Sequence, residues 1–256
     1  MSAEITPLIL TYNEASNLRR TLDRLAWAKE VVVVDSGSQD ETMAVAQNFP
    51  NVRTVVRTFD THAAQWNFGL EQCHTAWVLS LDADYVLTPE LEAELRRFMP
   101  PSDLMALTAQ FHYCVEGHAL RGTLYPARAV LFRRSACHYE QDGHTQTLRI
   151  NGTTGSLRGR ILHDDRKPLS QWLWAQDRYA RLEAEKLLTV EAGKLRRQDR
   201  LRRGMVLAPI AVFFYTLLAK GLILDGWPGW FYVLQRTYAE LLLSLRLLEV
   251  KLKRGS

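Results

Sequence analysis

The stretch VVVVDSGSQDET, residues 31–42, changes character halfway along. Four β-branched apolar residues fit a strand buried on both faces. The polar half fits a turn into a helix, with Ser38 and Glu41 three apart as a capping box. The alternation recurs on either side: ITPLILT at 5–11, VRTVV at 52–56 and WVLSL at 77–81 read as strands, and Leu18, Leu22 and Leu25 recur at helical spacing. Thr88-Pro89 predicts another helix start, with Leu91, Leu95 and Phe98 on one face. A crossover between parallel strands takes about a dozen residues or more, so helices of this length between strands imply a parallel sheet. Residues 1–100 are expected to form an α/β layer sandwich with helices on both faces of the sheet.

Composition narrows the class. A chain of 256 residues, 47% hydrophobic and 23% charged, suffices for one large domain or a domain with an appendage, and it excludes a disordered protein. Cys73, Cys114 and Cys137 are odd in number and widely spaced, so reduced thiols are expected rather than a disulfide framework or zinc knuckle. MSAEITPLILTYNE has no basic flank before a long apolar run, which sets the expectation of a cytoplasmic protein.

The net charge of +4 is uneven: Lys194 to Ser256 carries +8 and the preceding 193 residues −4. A helix is expected from Ser170 to about Ala192, ended by Gly193. Met205 to Ala219 then runs fifteen residues without a charge, short of the ~20 that span a bilayer. Preceded by LRRQDRLRR and followed by GWPGWFYVL, it reads as an interfacial membrane element, with a buried helical hairpin as the alternative.

Ligands of open α/β sheets bind beyond the carboxyl ends of the strands. There the chain sets Tyr12-Asn13-Glu14, Asp35-Ser36-Gly37-Ser38 and Asp82-Ala83-Asp84. In an extended segment Asp82 and Asp84 point the same way, and two carboxylates so close need a cation or donors beside them. Mg²⁺ or Mn²⁺ suits such oxygen ligands and completes its shell with water and phosphates. By itself the pair also fits a solvated acidic turn.

ILTYNE (9–14), VVVVDSGSQDET (31–42) and AQWNFGLEQCHTAWVLSLDADYVL (64–87) together resemble, in order and spacing, glycosyltransferase family 2. YPARAVLFRR, the His163 region and LILDGWPGWFYVLQRTYAELLLSLRLLE are similar to the branch that adds sugars to lipopolysaccharide core. The resemblance implies a GT-A type fold: a mixed, mostly parallel central sheet flanked by helices over residues 1–168, with a nucleotide-binding half to about 100 and an acceptor half after it. A helical, membrane-associating extension would occupy 169–256. It also implies roles. Asp35 would bind the nucleotide base, with Thr11, Asn13 and Glu14 flanking the nucleoside and Gln65 and Asn67 near the nucleotide sugar. Asp82 would lie by the ribose with Ala83 beside it, and Asp84 would hold the metal bridging the diphosphate. His163 would be a further metal ligand, or else part of a polar turn with Asp164 and Asp165.

Sugar transfer leaves charge on the departing nucleoside diphosphate, for which a metal and nearby arginines such as Arg121 or Arg128 are suited. The acceptor hydroxyl needs a base. The lipopolysaccharide branch usually has His-Glu where this chain has His144-Thr145-Gln146, and glutamine cannot accept the proton. Asp142 is the first candidate, His144 the second and Glu140 the third.

The expected activity is inverting transfer of a sugar from a nucleotide-sugar, UDP-linked for preference, to a lipid-linked or lipopolysaccharide-core acceptor. The enzyme would be peripheral on the cytoplasmic face of the inner membrane. A polyisoprenyl-phosphate acceptor and a non-catalytic nucleotide-sugar-binding protein of the same fold are the alternatives. Nucleic acid is not an expected partner, because the tail arginines precede an apolar run rather than interleaving with a stacking platform. No GxGxxG follows the first strand, which argues against a dinucleotide-dependent oxidoreductase.

Overall fold

Val31 to Val34 are fully buried, and alternate residues face opposite ways: Val31 and Val33 join one core layer, Val32 and Val34 the other. A strand covered on both sides explains why the run carries no polar position. The structure, a computed structural model, describes residues 3–142, 145–191, 193, 195 and 197–254. In chain order the first elements are β1 (Ile5–Thr11), α1 (Ala15–Asp23), β2 (Val31–Asp35), α2 (Thr42–Gln47), β3 (Val52–Val56), α3 (His62–Gln72), β4 (Trp77–Asp82), β5 (Tyr85–Leu87) and α4 (Pro89–Arg96). There follow β6 (Leu104–Val115), β7 (His118–Ala119), β8 (Arg128–Arg133), β9 (Cys137–Asp142), β10 (Thr145–Ile150) and β11 (Thr153–His163). The helices α5 (Leu169–Thr189), α6 (Arg197–Arg203), α7 (Leu207–Phe214) and α8 (Gly226–Arg254) complete the chain.

The chain divides into two compact units, Met1–Gly117 with Tyr125–Arg166, and His118–Leu124 with Lys167–Ser256. In the first, the central sheet runs β3-β2-β1-β4-β8-β6-β11-β5. β3, β2, β1 and β4 pair in parallel, as do β6 and β11, whereas β8 is antiparallel to β4 and β6, and β5 to β11. The sheet is thus mixed and mostly parallel. Leu18, Leu22 and Leu25 of the α1 region and Leu91, Leu95 and Phe98 of the α4 region cover one face with Ile9, Leu79 and Leu81. Each fully buried leucine contributes about 1.5–3 kcal/mol. Trp66 and Leu70 of α3 cover the other face with Leu8, Val32 and Val78. β9 and β10 form a separate two-stranded ribbon, and Tyr139 of β9 stacks on Trp66 at 5.4 Å.

Thr88 caps α4 through its side chain and Pro89 opens the helix, as the sequence predicts. Gly159 of β11 allows α4 to come this close, because a Cβ there would lie 2.3 Å from Leu91 Cα. The expected capping box does not form. α2 begins only at Thr42, because the Ser38 hydroxyl is already bonded to Asp35.

In the second unit α5 ends at Thr189, before the expected Ala192, where Val190 turns extended. Leu187, Leu195, Leu243 and Leu247 form its core. His118–Leu124 belongs here by its contacts: Arg121 meets Asp225 through its backbone N–H (2.9 Å) and Nε (3.1 Å), and Leu124 N–H donates to the Tyr232 hydroxyl (2.9 Å). Arg121 is therefore committed to Asp225. The stretch that reads as interfacial forms α7, a π-helical turn at Tyr215–Ala219 and a 3-10 turn at Leu222–Asp225. It leaves Leu207, Ile210, Phe214, Leu218 and Leu224 more than half exposed. Among the described residues no single helix is long and apolar enough to cross a membrane; Leu207–Ala219 and Leu222–Lys253 pass that test only together, with a 67° bend between them.

Candidate active site

The carboxyl ends of β1, β2 and β4 are held by their own side chains. Asp35, buried at the end of β2, accepts four hydrogen bonds: Thr11 Oγ1 (2.9 Å) and Ser38 Oγ (2.5 Å) on Oδ2, and the N–H groups of Gly37 (2.9 Å) and Ser38 (2.8 Å) on Oδ1. Such dense donation is what a buried carboxylate requires. Gly37 sits at φ +87°, in the left-handed region that a glycine enters without steric cost. The same Ser38 hydroxyl accepts from Asn13 N–H (2.8 Å), and Asn13 Oδ1 from Gln39 N–H (2.8 Å), so Asn13, itself at φ +54°, joins the loops after β1 and β2. Glu14 donates its N–H to Thr42 Oγ1 (2.7 Å) and takes Asn17 Nδ2 on its carboxylate (2.9 Å).

Gln65 is wholly buried on α3 and ties the loops after β2 and β3. Its Nε2 donates to Ser36 Oγ (3.0 Å) and the Arg57 carbonyl (3.1 Å), while Oε1 accepts from Arg57 Nη1 (2.5 Å). Asn67 clamps β9, donating to the Tyr139 carbonyl and accepting from the Tyr139 N–H, each at 2.9 Å. Replacing it by alanine leaves both backbone groups unpaired. Asn67→Ala is expected to lower stability by about 1–3 kcal/mol in denaturant unfolding.

Asp82 and Asp84 do not share one extended segment. β4 stops at Asp82, and Ala83 and Asp84 form a turn before β5. The pairing of β5 with β11 causes this, because the chain must reverse within two residues to meet Leu162 and His163. The turn is pinned by Thr21 Oγ1 donating to the Ala83 carbonyl (2.7 Å) and by Asp164 N–H donating to the Asp84 carbonyl (3.1 Å). Its consequence is chemical. Asp84, 8% exposed, lies with Oδ2 3.2 Å from Nε2 of the partly buried His163, so residues 79 positions apart form one acid–imidazole pair.

Burial opposes a charge on His163, yet Asp84, Asp82 and Asp165 outweigh it and raise its pKa above the ordinary value. Tyr125, Tyr113 and Tyr85 surround the imidazole at ring distances of 4.6, 4.8 and 5.2 Å. Burial pushes the Tyr85 and Tyr125 phenols up, and their hydroxyls bond each other. Behind the pair, Asp164 accepts from Arg20 (2.6 Å), Arg166 Nε (3.0 Å) and the Gly117 N–H (3.1 Å), while Asn17 reaches Asp165 (2.9 Å). Asp164 and Asp165 thus anchor the loop after His163. No sequence pattern marks the tyrosine surround or Arg20, whose partners lie far along the chain.

Among the described residues no group of three or more His, Cys, Asp or Glu is arranged to hold a metal ion. Two donors do stand together: one carboxylate oxygen and one imidazole nitrogen in a buried setting. That set suits a hard divalent ion that takes its other ligands from substrate phosphate and water. Asp142 ends β9, half-buried and opposite Thr145; His144 lies outside the described residues. Glu140 is exposed and bonded to Arg149 (2.6 Å) and His138 (3.3 Å), which hold its carboxyl below the ordinary range and make it a poorer base. Gln146 stands opposite Gln141 on the ribbon.

A mixed sheet flanked by helices, with carboxylates and a histidine gathered at the ends of its parallel strands, is the architecture of a GT-A type group-transfer enzyme. Residues 8–163 match Glycosyl transferase family 2, and the chain belongs to that family; it is a glycosyltransferase. It is 27% identical over 235 residues to the lipopolysaccharide core biosynthesis glycosyltransferase LpsC of Rhizobium meliloti (strain 1021), covering 88% of this chain and 84% of that protein. An uncharacterized glycosyltransferase of Rickettsia bellii (strain RML369-C) is 33% identical over 96 residues, 37% of this chain and 32% of its own length. The crystal structure of S. aureus TarS 1-349 in complex with UDP-GlcNAc aligns over 99% of this chain and 92% of that one, at 14% identity and a TM-score of 0.48.

Proposed function

We propose that this glycosyltransferase is inverting and metal-dependent, and that it moves a sugar from a nucleotide-sugar, a UDP-sugar for preference, to a lipid-linked or lipopolysaccharide-core acceptor. The observation that carries the reading is the largely buried Asp84–His163 pair at the end of the central sheet in a family 2 chain. Asp84 and His163 would hold Mg²⁺ or Mn²⁺, which when bound supplies positive charge to the diphosphate as the glycosidic bond breaks. Asp35, Thr11, Asn13, Glu14 and Gln65 shape the floor and loops against which the nucleoside rests; in this reading Asp35 acts by fixing the Gly37–Ser38 turn as well as by facing the base. Asp82 and the Ala83 backbone border the ribose. Asn67 acts at one remove, by holding β9 and with it Asp142 at the strand's end. Asp142 takes the acceptor proton, and His144 is the second candidate.

The acceptor class is supported by the similarity to LpsC over most of both chains. The membrane surface as partner, and a peripheral position on the cytoplasmic face of the inner membrane, are supported by the exposed apolar residues of α7 and the turns after it, next to the arginines of α6.

Transfer from radiolabelled nucleotide-sugars to lipid extract tests the whole. Chelator is expected to suppress turnover and Mn²⁺ or Mg²⁺ to restore it. Full activity in chelator removes the metal role of Asp84 and His163. Binding of nucleotide-sugar with no transfer to any acceptor favours the non-catalytic reading, for which Gln146 in place of the usual glutamate is the motive.

A further inference from the structure

Arg128 opens β8, half-buried, with its guanidinium centre 4.6 Å over the ring of Tyr125. Among the described residues it makes no hydrogen bond and no ion pair, so this stacking is its one side-chain restraint and its five N–H donors are unspent. A guanidinium removed from bulk water in this way ordinarily finds a carboxylate. One lies close at hand. The antiparallel pairing of Trp77 with Arg133, Val78 with Phe132 and Leu79 with Leu131, continued along both strands, sets Asp82 opposite Arg128. The ladder nevertheless ends at Leu79, and no salt bridge joins Asp82 to Arg128, although against the effect of burial Tyr125, Tyr85 and then Asp82 raise the guanidinium's pKa. Opposite charges thus stand at facing ends of β4 and β8, beyond the last paired residues, without closing an ion pair. A ligand that fits there offers anionic oxygens to one side and hydroxyl donors to the other.

We infer that Arg128, held in place by the Tyr125 ring, binds the diphosphate of the nucleotide donor across from Asp82 and is the protein's own cation for the leaving group. This rests on the nucleotide-sugar reading above and adds a residue to it. Arg128 presents a fork of parallel N–H donors, which matches phosphate oxygens two at a time. As the bond from the anomeric carbon to the phosphate oxygen breaks, the electron pair stays on that oxygen, and the guanidinium meets the growing charge without reorganising. Tyr125 is a positioning residue: its ring face fixes the fork, while its edge packs on His163, so one side chain aligns the arginine with the Asp84–His163 pair.

The test is calorimetric binding of UDP, GDP, uridine and guanosine to the full chain, with chelator and with Mn²⁺. In chelator the parent is expected to bind one diphosphate more tightly than its nucleoside. Arg128→Gln should weaken that diphosphate about 10- to 100-fold and leave the nucleoside unchanged. Arg128→Lys should fall between the two, having charge without the fork. Tyr125→Phe, which keeps the ring face, should bind as the parent does, and Tyr125→Leu should follow Arg128→Gln. Equal diphosphate binding by parent and Arg128→Gln overturns the inference alone. Equal weakening of diphosphate and nucleoside also overturns it, since that marks a damaged pocket. A parent that binds neither diphosphate overturns the nucleotide-sugar reading and this inference together.

Discussion

Asp84→Ala is expected to reduce sugar transfer about 1,000-fold while the nucleoside still binds, because in the proposed function the carboxylate serves the leaving group and not the base. The size follows from the surroundings. Asp84 is nearly excluded from water, and charge in such a place acts through a low dielectric. The loss has two sources. The oxygen donor that would share a divalent ion with His163 disappears, and the imidazole loses the carboxylate 3.2 Å away that fixes its orientation. Asp84→Asn separates chemistry from folding, since it keeps the shape, and the turn itself is held through backbone carbonyls at Ala83 and Asp84. Both variants should unfold near the parent's midpoint and both should fail in transfer. Turnover by Asp84→Asn within about threefold of the parent would sink the proposed chemistry, on the scale by which tenfold corresponds to about 1.4 kcal/mol.

How much of this could be read from the sequence depended on the distance between partners. β1, β2 and β4 were legible almost to the residue, because a strand buried on both faces has to be an apolar run, and the half-buried β3 was legible by its β-branched residues. The α4 cap was legible for a similar reason: Thr88-Pro89 acts on its own helix. Local rules failed where a distant strand intervened. Ser38 had the spacing of a cap but serves Asp35 and Asn13, and the reach of Asp84 toward His163 depends on β5 turning back to pair with β11. Asn67 reads as a surface amide until β9 is laid against α3, and Arg128 reads as one arginine among several until β8 is laid against β4. What the sequence left unread is the partners, since hydrophobic period encodes burial but not which strands become neighbours.

The second large effect belongs to the helical unit, where Arg202→Ala is expected to destabilise by about 3–5 kcal/mol. Arg202 of α6 meets both oxygens of Glu240 on α8, through Nη2 (2.6 Å) and Nε (3.1 Å), and lies 3.8 Å from Glu183 of α5 and 3.9 Å from Asp199. Those three carboxylates are 4–6% exposed, so one guanidinium neutralises charge contributed by three helices. Burial opposes the arginine's own charge, but Glu240, Glu183 and Asp199 raise its pKa overall. Without it the carboxylates repel one another in a dry setting, and they must take up protons or open the bundle to water. Acid neutralises carboxylates and with them their mutual repulsion. The gap between variant and parent should therefore be widest at neutral pH and narrow toward pH 4. Urea unfolding followed by tryptophan fluorescence at both pH values measures it. Arg202→Lys should cost less than the alanine variant, because it retains charge but not the bidentate geometry. A difference under about 1 kcal/mol for Arg202→Ala at pH 7 would mean that water already reaches these carboxylates, as it does at exposed ion pairs.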